Sequence, residues 1–432
     1  MSCTQRGGSD QLLEDQLIEG IGLIELQPKT NAMMSAVRHI RNGCTTMHHN
    51  SWGEEPNRLE LAEKSIEGYK EVGIRLVYSL GGRNMNRLAY GDTEFFTTLP
   101  PSLQEVCRDM VYYDKKQFVD DYFALFNYLY SRYNNSDTHI ILCPSWVQGC
   151  TVDFLQRVEA RADELGKIQI HIHTLESLLR KAYSLRKYAK SLVAYLDDIG
   201  LIDNNLTLGH ALYVAESDIE LLGSRHASGT HHPSCNLALR NGIAPVYYLQ
   251  KAGVNVVLGI DNRAINDDED AIMELRMIHQ LHCVLGSDLT STPTLDAFDV
   301  LRMGTTNAAR VCSFEGELGA LKPGMKADAI LLDLHEMMED PWTSPNLNIA
   351  EIFIHWAKGT HVNTVIVGGK VIMEDRKSLT VDVDQLYRGL RKQVERGVNP
   401  QQRCFAEALQ KIKPYYRKWY KGWQKLDLGP FY

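Results

Sequence analysis

Ile168-Gln169-Ile170-His171-Ile172-His173-Thr174-Leu175-Glu176 is an apolar run that carries two histidines and ends on a carboxylate. Three later stretches repeat the design: Leu206-Thr207-Leu208-Gly209-His210, Gly229-Thr230-His231-His232-Pro233-Ser234-Cys235-Asn236, and Val254-Asn255-Val256-Val257-Leu258-Gly259-Ile260-Asp261. Short apolar runs of this kind, bounded by turn residues, read as buried strands. Each sets a ligand-type or acid/base-type side chain at or near its C-terminal end. Helix-length segments at 178–199, 217–222 and 244–252 lie between them. Strands that alternate with helices call for a parallel sheet with right-handed crossovers. In a parallel barrel the βα loops open at the C-terminal strand ends, above a packed interior, and the active site is built there. Four such endings in succession are read as one site.

Upstream, 43–49, 74–80 and 139–144 read as three more strands, which makes seven. Helical spacing occupies 12–40 (interrupted near Pro28), 58–72, 117–133 and 152–165, whereas 85–115, broken by Pro100-Pro101, reads as a long irregular loop. Downstream, 267–285 and 294–300 read as helices. The stretches 328–333 and 362–373 read as hairpin-like strands outside the βα rhythm, with a turn at Gly368-Gly369. The expected organisation is a (β/α) barrel over residues 1–310, a small β domain segment over 311–383, and a helical basic and aromatic tail over 384–432. Residues 1–10 are polar and expected to be disordered.

The chain has 432 residues, a size that suits one large α/β domain with an appendage. A formal charge of −8 argues against a general nucleic-acid binder. The tail interleaves Lys411, Lys413, Arg417, Lys418, Lys421 and Lys425 with Tyr415, Tyr416, Trp419, Tyr420 and Trp423. That pattern is read as a helix docking its aromatics on the barrel or a partner subunit, with its lysines in water. Nine scattered cysteines without a CxxC fit no disulfide framework and point to the cytoplasm. No signal peptide and no membrane-spanning apolar stretch is readable.

Zinc and related ions take imidazole nitrogen and carboxylate oxygen and must keep one position for water in a catalytic site. His171 and His173 are two apart on a strand and so face the same side, into the barrel. His173 lies nearer the rim, and His171, a layer deeper, is read as packing. Glu176 can relay a proton or hold a substrate nitrogen, His210 can polarise a substrate oxygen, and Asp261 can ligate metal and act as general base. His48 and His49 are left open between packing and function. Arg83 and Arg87 are read as solvated surface residues.

The sequence resembles the amidohydrolase superfamily, in the branch of chlorohydrolases and aminohydrolases that act on triazines, purines and pterins. The residues that carry the likeness are Gly43-Cys44-Thr45-Thr46, His173 to Glu176, Gly209-His210, His231 to Pro245 and Leu258 to Asp261. The run Met303 to Ala309, Leu318-Gly319, Leu321 to Gly324 and Lys326-Ala327-Asp328 extends it. The resemblance implies a TIM-type (β/α)8 barrel that holds one divalent metal, zinc or iron. Residue by residue it implies His173 and Asp261 as metal ligands, Glu176 and His210 as acid/base and polarising groups, and His231 and Asn236 as residues lining the substrate. A homodimer is expected on the same ground. One departure stands out: such enzymes begin with a barrel strand ending in His-x-His, and no such pair precedes His171. Seven strands, an open edge, weakened metal binding and a truncated product are therefore expected.

The function this implies is metal-dependent hydrolysis of a non-peptide carbon–nitrogen bond, most simply deamination of a small N-heterocycle. The rival is a truncated or non-catalytic relative that binds a small ligand or a partner.

Overall fold

The computed structural model describes residues 12–19, 26–52, 57–261, 268–283, 294–338, 342, 344–398 and 400–429. The expectations for 1–10, 267 and 284–285 fall outside the described residues. Seven parallel strands stand in chain order: β1 Thr46–Asn50, β2 Arg75–Gly82, β3 Thr138–Pro144, β4 Ile170–Thr174, β5 Leu206–His210, β6 Ser228–His231 and β7 Asn255–Leu258. With helices between consecutive strands they form a curled, TIM-type half-barrel. Ile170, Ile172, Leu206, Leu208 and Val256 join the main apolar core. The alternate residues of β4, His171 and His173, face the opposite side. β3 and β4 pair only at Leu142 and Ile170, and a separate bridge joins Trp146 to His173.

Among the described strands β1 and β7 are the outer pair and do not pair with each other. A cavity of about 1070 Å³ is lined from both, by Met47, His48 and His49 on one side and Leu258 and Asp261 on the other. The second sheet is antiparallel, in the order β11-β10-β9-β8, with β8 Ala329–Leu332, β9 Val362–Val367, β10 Lys370–Glu374 and β11 Lys377–Ser378. Gly368 and Gly369 make the β9–β10 turn with positive φ, 57° and 78°. Arg75 of β2 is buried and holds Asp328 through two 3.0 Å hydrogen bonds, joining the small sheet to the barrel.

Several local expectations change. Pro28 begins the helix Pro28–Arg41, at a position where its missing N–H costs nothing. The segment 178–199 is two helices, Leu178–Tyr188 and Leu192–Asp198, because Ala189 closes the first in a left-handed conformation. Residues 85–115 are not irregular: Asp92–Thr97 and Pro101–Val111 are helices. Their apolar faces, with Phe95, Leu103 and Cys107, bury against Leu409, Ile412, Tyr416 and Tyr420 of the C-terminal helix Pro400–Tyr420. The tail aromatics thus pack on the rim, while Lys411, Lys418, Lys421 and Lys425 are exposed. Arg83 is a correction. It is buried, with its guanidinium 4.1 Å from the Trp146 ring centroid, because a planar cation shields itself on an aromatic face. Arg87 lies 3.6 Å over the Tyr113 ring.

Among the described residues no cysteine forms a disulfide. No described helix is long and apolar enough to cross a membrane.

Candidate active site

Three strand ends deliver the central group. Glu176 follows β4, His210 closes β5, and Asp261 follows β7. Donor atoms of all three lie within 4.8 Å of one another. His210 Nε2 stands 3.5 Å from Glu176 Oε1 and 3.5 Å from Asp261 Oδ2. The backbone turns sharply here: Leu175, His210, Ala211 and Asp261 all have positive φ, 52°, 70°, 47° and 69°. Non-glycine residues are held there only when their surroundings over-determine them, and such strain gathers at functional positions.

Neighbours fix each side chain. His210 Nδ1 donates to Asn236 Oδ1 at 3.0 Å, so Nε2 presents a lone pair to the two carboxylates. Burial holds the His210 pKa well below the ordinary value, so the ring is neutral at pH 7. Asp261 accepts from Cys235 Sγ at 3.0 Å. Arg180, fully buried, binds Glu176 Oε2 through Nη1 at 2.7 Å. Burial nevertheless raises Glu176 to a pKa of about 8, with Arg180 pulling the other way, so its proton is held at neutral pH.

His173 stands beside the group, its ring 5.5 Å from that of His210. Its Nδ1 donates to the Ser145 carbonyl at 2.6 Å, which leaves Nε2 as the lone-pair nitrogen, as outer-shell hydrogen bonds do for ligand histidines. His231 turns instead toward His282, at 5.5 Å, and His232 stacks on His210 at 4.4 Å. His49 is a packing residue, stacked on Tyr78 and bonded to the Tyr69 hydroxyl at 2.6 Å.

His210 Nε2 is buried without a hydrogen-bond partner and faces two carboxylate oxygens. One imidazole nitrogen and two carboxylate oxygens that converge, with His173 adjacent, fit a divalent metal such as zinc or iron. Arg180, His232 and Cys235 were not singled out from the sequence. A signal existed for Arg180, four residues after Glu176 on the next helix, where opposite charges meet. His232 and Cys235 lie in the quoted stretch Gly229–Asn236, but their contacts come from other strands.

Gly259 marks how tightly the group is packed. A Cβ there would lie 2.0 Å from His232 Cε1, so Gly259→Ala must push the imidazole off His210. Thermal unfolding should show a loss of about 1–3 kcal/mol; an unchanged midpoint would mean that the ring has room to move.

Acid should weaken the fold through the same histidines. Burial lowers His48 and His173 to about 4 and His49 to about 3, while the unfolded chain titrates near 6.5. Between those values the unfolded chain binds more protons, so stability is full above about 6.5 and falls as pH drops toward 4. At pH 5 the loss should be on the order of 1–2 kcal/mol per group. Urea midpoints at neutral pH and at about pH 5 test this, and equal midpoints would refute it.

These features define a class: a TIM-type barrel with carboxylates and imidazoles gathered at its strand ends. The sequence profile of the amidohydrolase family matches residues 29–372, and the chain belongs to that family. A 5-methylthioadenosine/S-adenosylhomocysteine deaminase from Caldanaerobacter subterraneus subsp. tengcongensis is 35% identical over 57% of this chain and 55% of its own length. A 5'-deoxyadenosine deaminase from Methanosarcina barkeri is 37% identical over 57% and 55%. The chain thus spans a little over half the length of these curated relatives. Among solved structures, an adenosine deaminase from Xanthomonas campestris with bound zinc has a TM-score of 0.71 and 25% identity, covering 86% of this chain and 76% of that one. A zinc complex of atrazine chlorohydrolase from Arthrobacter aurescens TC1 has a TM-score of 0.71 at 19% identity, covering 85% and 78%, and shares the fold.

Proposed function

We propose that this chain hydrolyses the exocyclic amino group of an adenine nucleoside, with 5'-modified adenosines as its substrate class. The observation that carries the reading is the convergence of Glu176, His210 and Asp261 from β4, β5 and β7. The relatives named as deaminases of 5'-modified adenosines support the substrate class. A divalent metal, held by Asp261 and His173 with His210 and Glu176 beside them, supplies Lewis acidity toward water and substrate when bound.

The chain's own residues do the proton work. Asp261 takes a proton from the attacking water. His210 Nε2, a lone pair aimed between the carboxylates, accepts a hydrogen bond from that water and orients it. Glu176, protonated at neutral pH, gives its proton to the ring nitrogen as water adds to the neighbouring carbon. Asp261 then passes its proton to the departing amino group while the new hydroxyl returns one to Glu176, and collapse breaks the carbon–nitrogen bond and releases ammonia. Asn236 positions His210 and Arg180 positions Glu176; His231, turned to His282, is the weaker candidate for substrate contact.

The test is ammonia release from adenosine, 5'-deoxyadenosine, methylthioadenosine and a chlorotriazine, with the chain supplied with zinc. Release from the nucleosides is expected; release from the triazine alone would sink the substrate class. The unpaired outer strands favour a second reading, a chain that binds such a nucleoside without turning it over. Calorimetric binding of methylthioadenosine with no ammonia would establish that reading instead.

A further inference from the structure

We propose that Glu14, on the helix Leu13–Glu19, is a positioning residue for the site, holding Arg180 and through it Glu176. The role rests on the deamination proposed above, and it extends the site to a helix that lies 163 residues before Ser177 in the chain. Glu14 is buried, and a buried carboxyl is costly unless its oxygens are engaged. Oε1 is engaged twice: it accepts from the Ser177 hydroxyl at 2.5 Å and from the Tyr90 hydroxyl at 3.3 Å.

Because Oε1 accepts both bonds, it fixes the direction of both hydroxyl protons, and each hydroxyl turns a lone pair toward Arg180. Ser177 Oγ accepts from the Arg180 backbone N–H at 3.3 Å and caps the helix Leu178–Tyr188. The Tyr90 hydroxyl oxygen accepts from Arg180 Nε, also at 3.3 Å. Arg180 is thereby held at main chain and guanidinium alike, while its Nη1 stands 2.7 Å from Glu176 Oε2. Ser177 directly follows Glu176, so the same cap fixes the backbone from which Glu176 projects. Without the acceptor at Glu14, either hydroxyl is free to rotate and present its proton to Arg180, donor against donor.

The helix that carries Glu14 is itself tied down. Leu13 packs with Cys235 and Leu239 in a small apolar cluster, and Cys235 Sγ is the group that donates to Asp261. Asp15 pairs with Arg417 of the C-terminal helix at 3.1 Å. Two neighbouring residues of one short helix thus support two strand ends, Leu13 on the side of Asp261 and Glu14 on the side of Glu176. Packing alone is served by an apolar residue at 14, as it is at Leu13. A carboxyl there needs its own reason, and the two hydroxyls it orients supply one.

The test is ammonia release from methylthioadenosine by the full chain supplied with zinc, with kcat and KM measured separately. Glu14→Leu should lower kcat about 10- to 100-fold with KM within a few-fold, the mark of a misplaced reacting group. Glu14→Gln, whose carbonyl oxygen accepts the same two bonds, should restore most of the rate. Parent-like kcat in Glu14→Leu would overturn the proposal, and so would a glutamine variant as slow as the leucine one. Should Glu14→Leu fail to fold, Tyr90→Phe decides, since it removes only the hydroxyl between Glu14 and Arg180; an unchanged kcat there would overturn the proposal too. A parent chain without turnover would defeat the deamination reading and leave the role of Glu14 to urea midpoints. Glu14→Leu and Arg180→Met should then shift the midpoint non-additively, because they share one network, and additive shifts would overturn it.

Discussion

If the proposed deamination holds, Asp261→Asn should lower kcat for ammonia release by about 10²–10⁴-fold while the melting temperature holds. The side chain sits on a left-handed backbone just past β7, and its Oδ2 accepts from Cys235 and faces His210 Nε2. Asparagine keeps the shape and one carbonyl oxygen but cannot take a proton from water. It also removes the negative charge that Asp261 brings to the donor set for a divalent ion. Steady-state kinetics on the zinc-supplied chain decide the point. Turnover within a few-fold of the parent would end the assignment of Asp261 as base, whatever its effect on metal content.

Arg180→Met should cost about 1–3 kcal/mol, the penalty for leaving buried oxygens of Glu176 and Tyr90 without their donor. Arg180 is the largest fully buried side chain, and its fork spans Glu176 Oε2 at 2.7 Å and the Tyr90 hydroxyl at 3.3 Å. That hydroxyl in turn lies 3.3 Å from the buried Glu14. Methionine fills the space but carries no charge. Lysine should restore only part of the loss, since a single ammonium cannot reach both partners as the planar fork does. Urea denaturation gives the number, and a loss below about 1 kcal/mol would mean that these oxygens find other donors once Arg180 is gone. The double variant with Glu176→Gln should recover part of the loss, because the two changes share one contact.

Much of this molecule was legible before its fold was known. The seven strands were visible because each is a short apolar run whose alternate residues must be buried on both faces of a parallel sheet. Glu176, His210 and Asp261 stood out because polar groups at such ends are paid for only where loops open onto a site. The loop region 85–115 was misread since its helices are short and their apolar faces find partners 300 residues away, in Leu409 and Tyr416. Arg83 was misread for the same reason: sequence shows a charge, and only the fold shows the Trp146 face that covers it.

By itself the sequence determined the barrel, the strand ends that carry chemistry, and the small antiparallel sheet, because these follow from local periodicity. It also showed that no His-x-His pair precedes His171. Only the tertiary structure decided which donors meet: that His210 joins the two carboxylates, that His232 and not His231 lies against it, and that Arg180 holds Glu176. The physical reason is that strand curl and ring orientation, which set distances across the barrel, depend on all strands at once and leave no trace in any one of them.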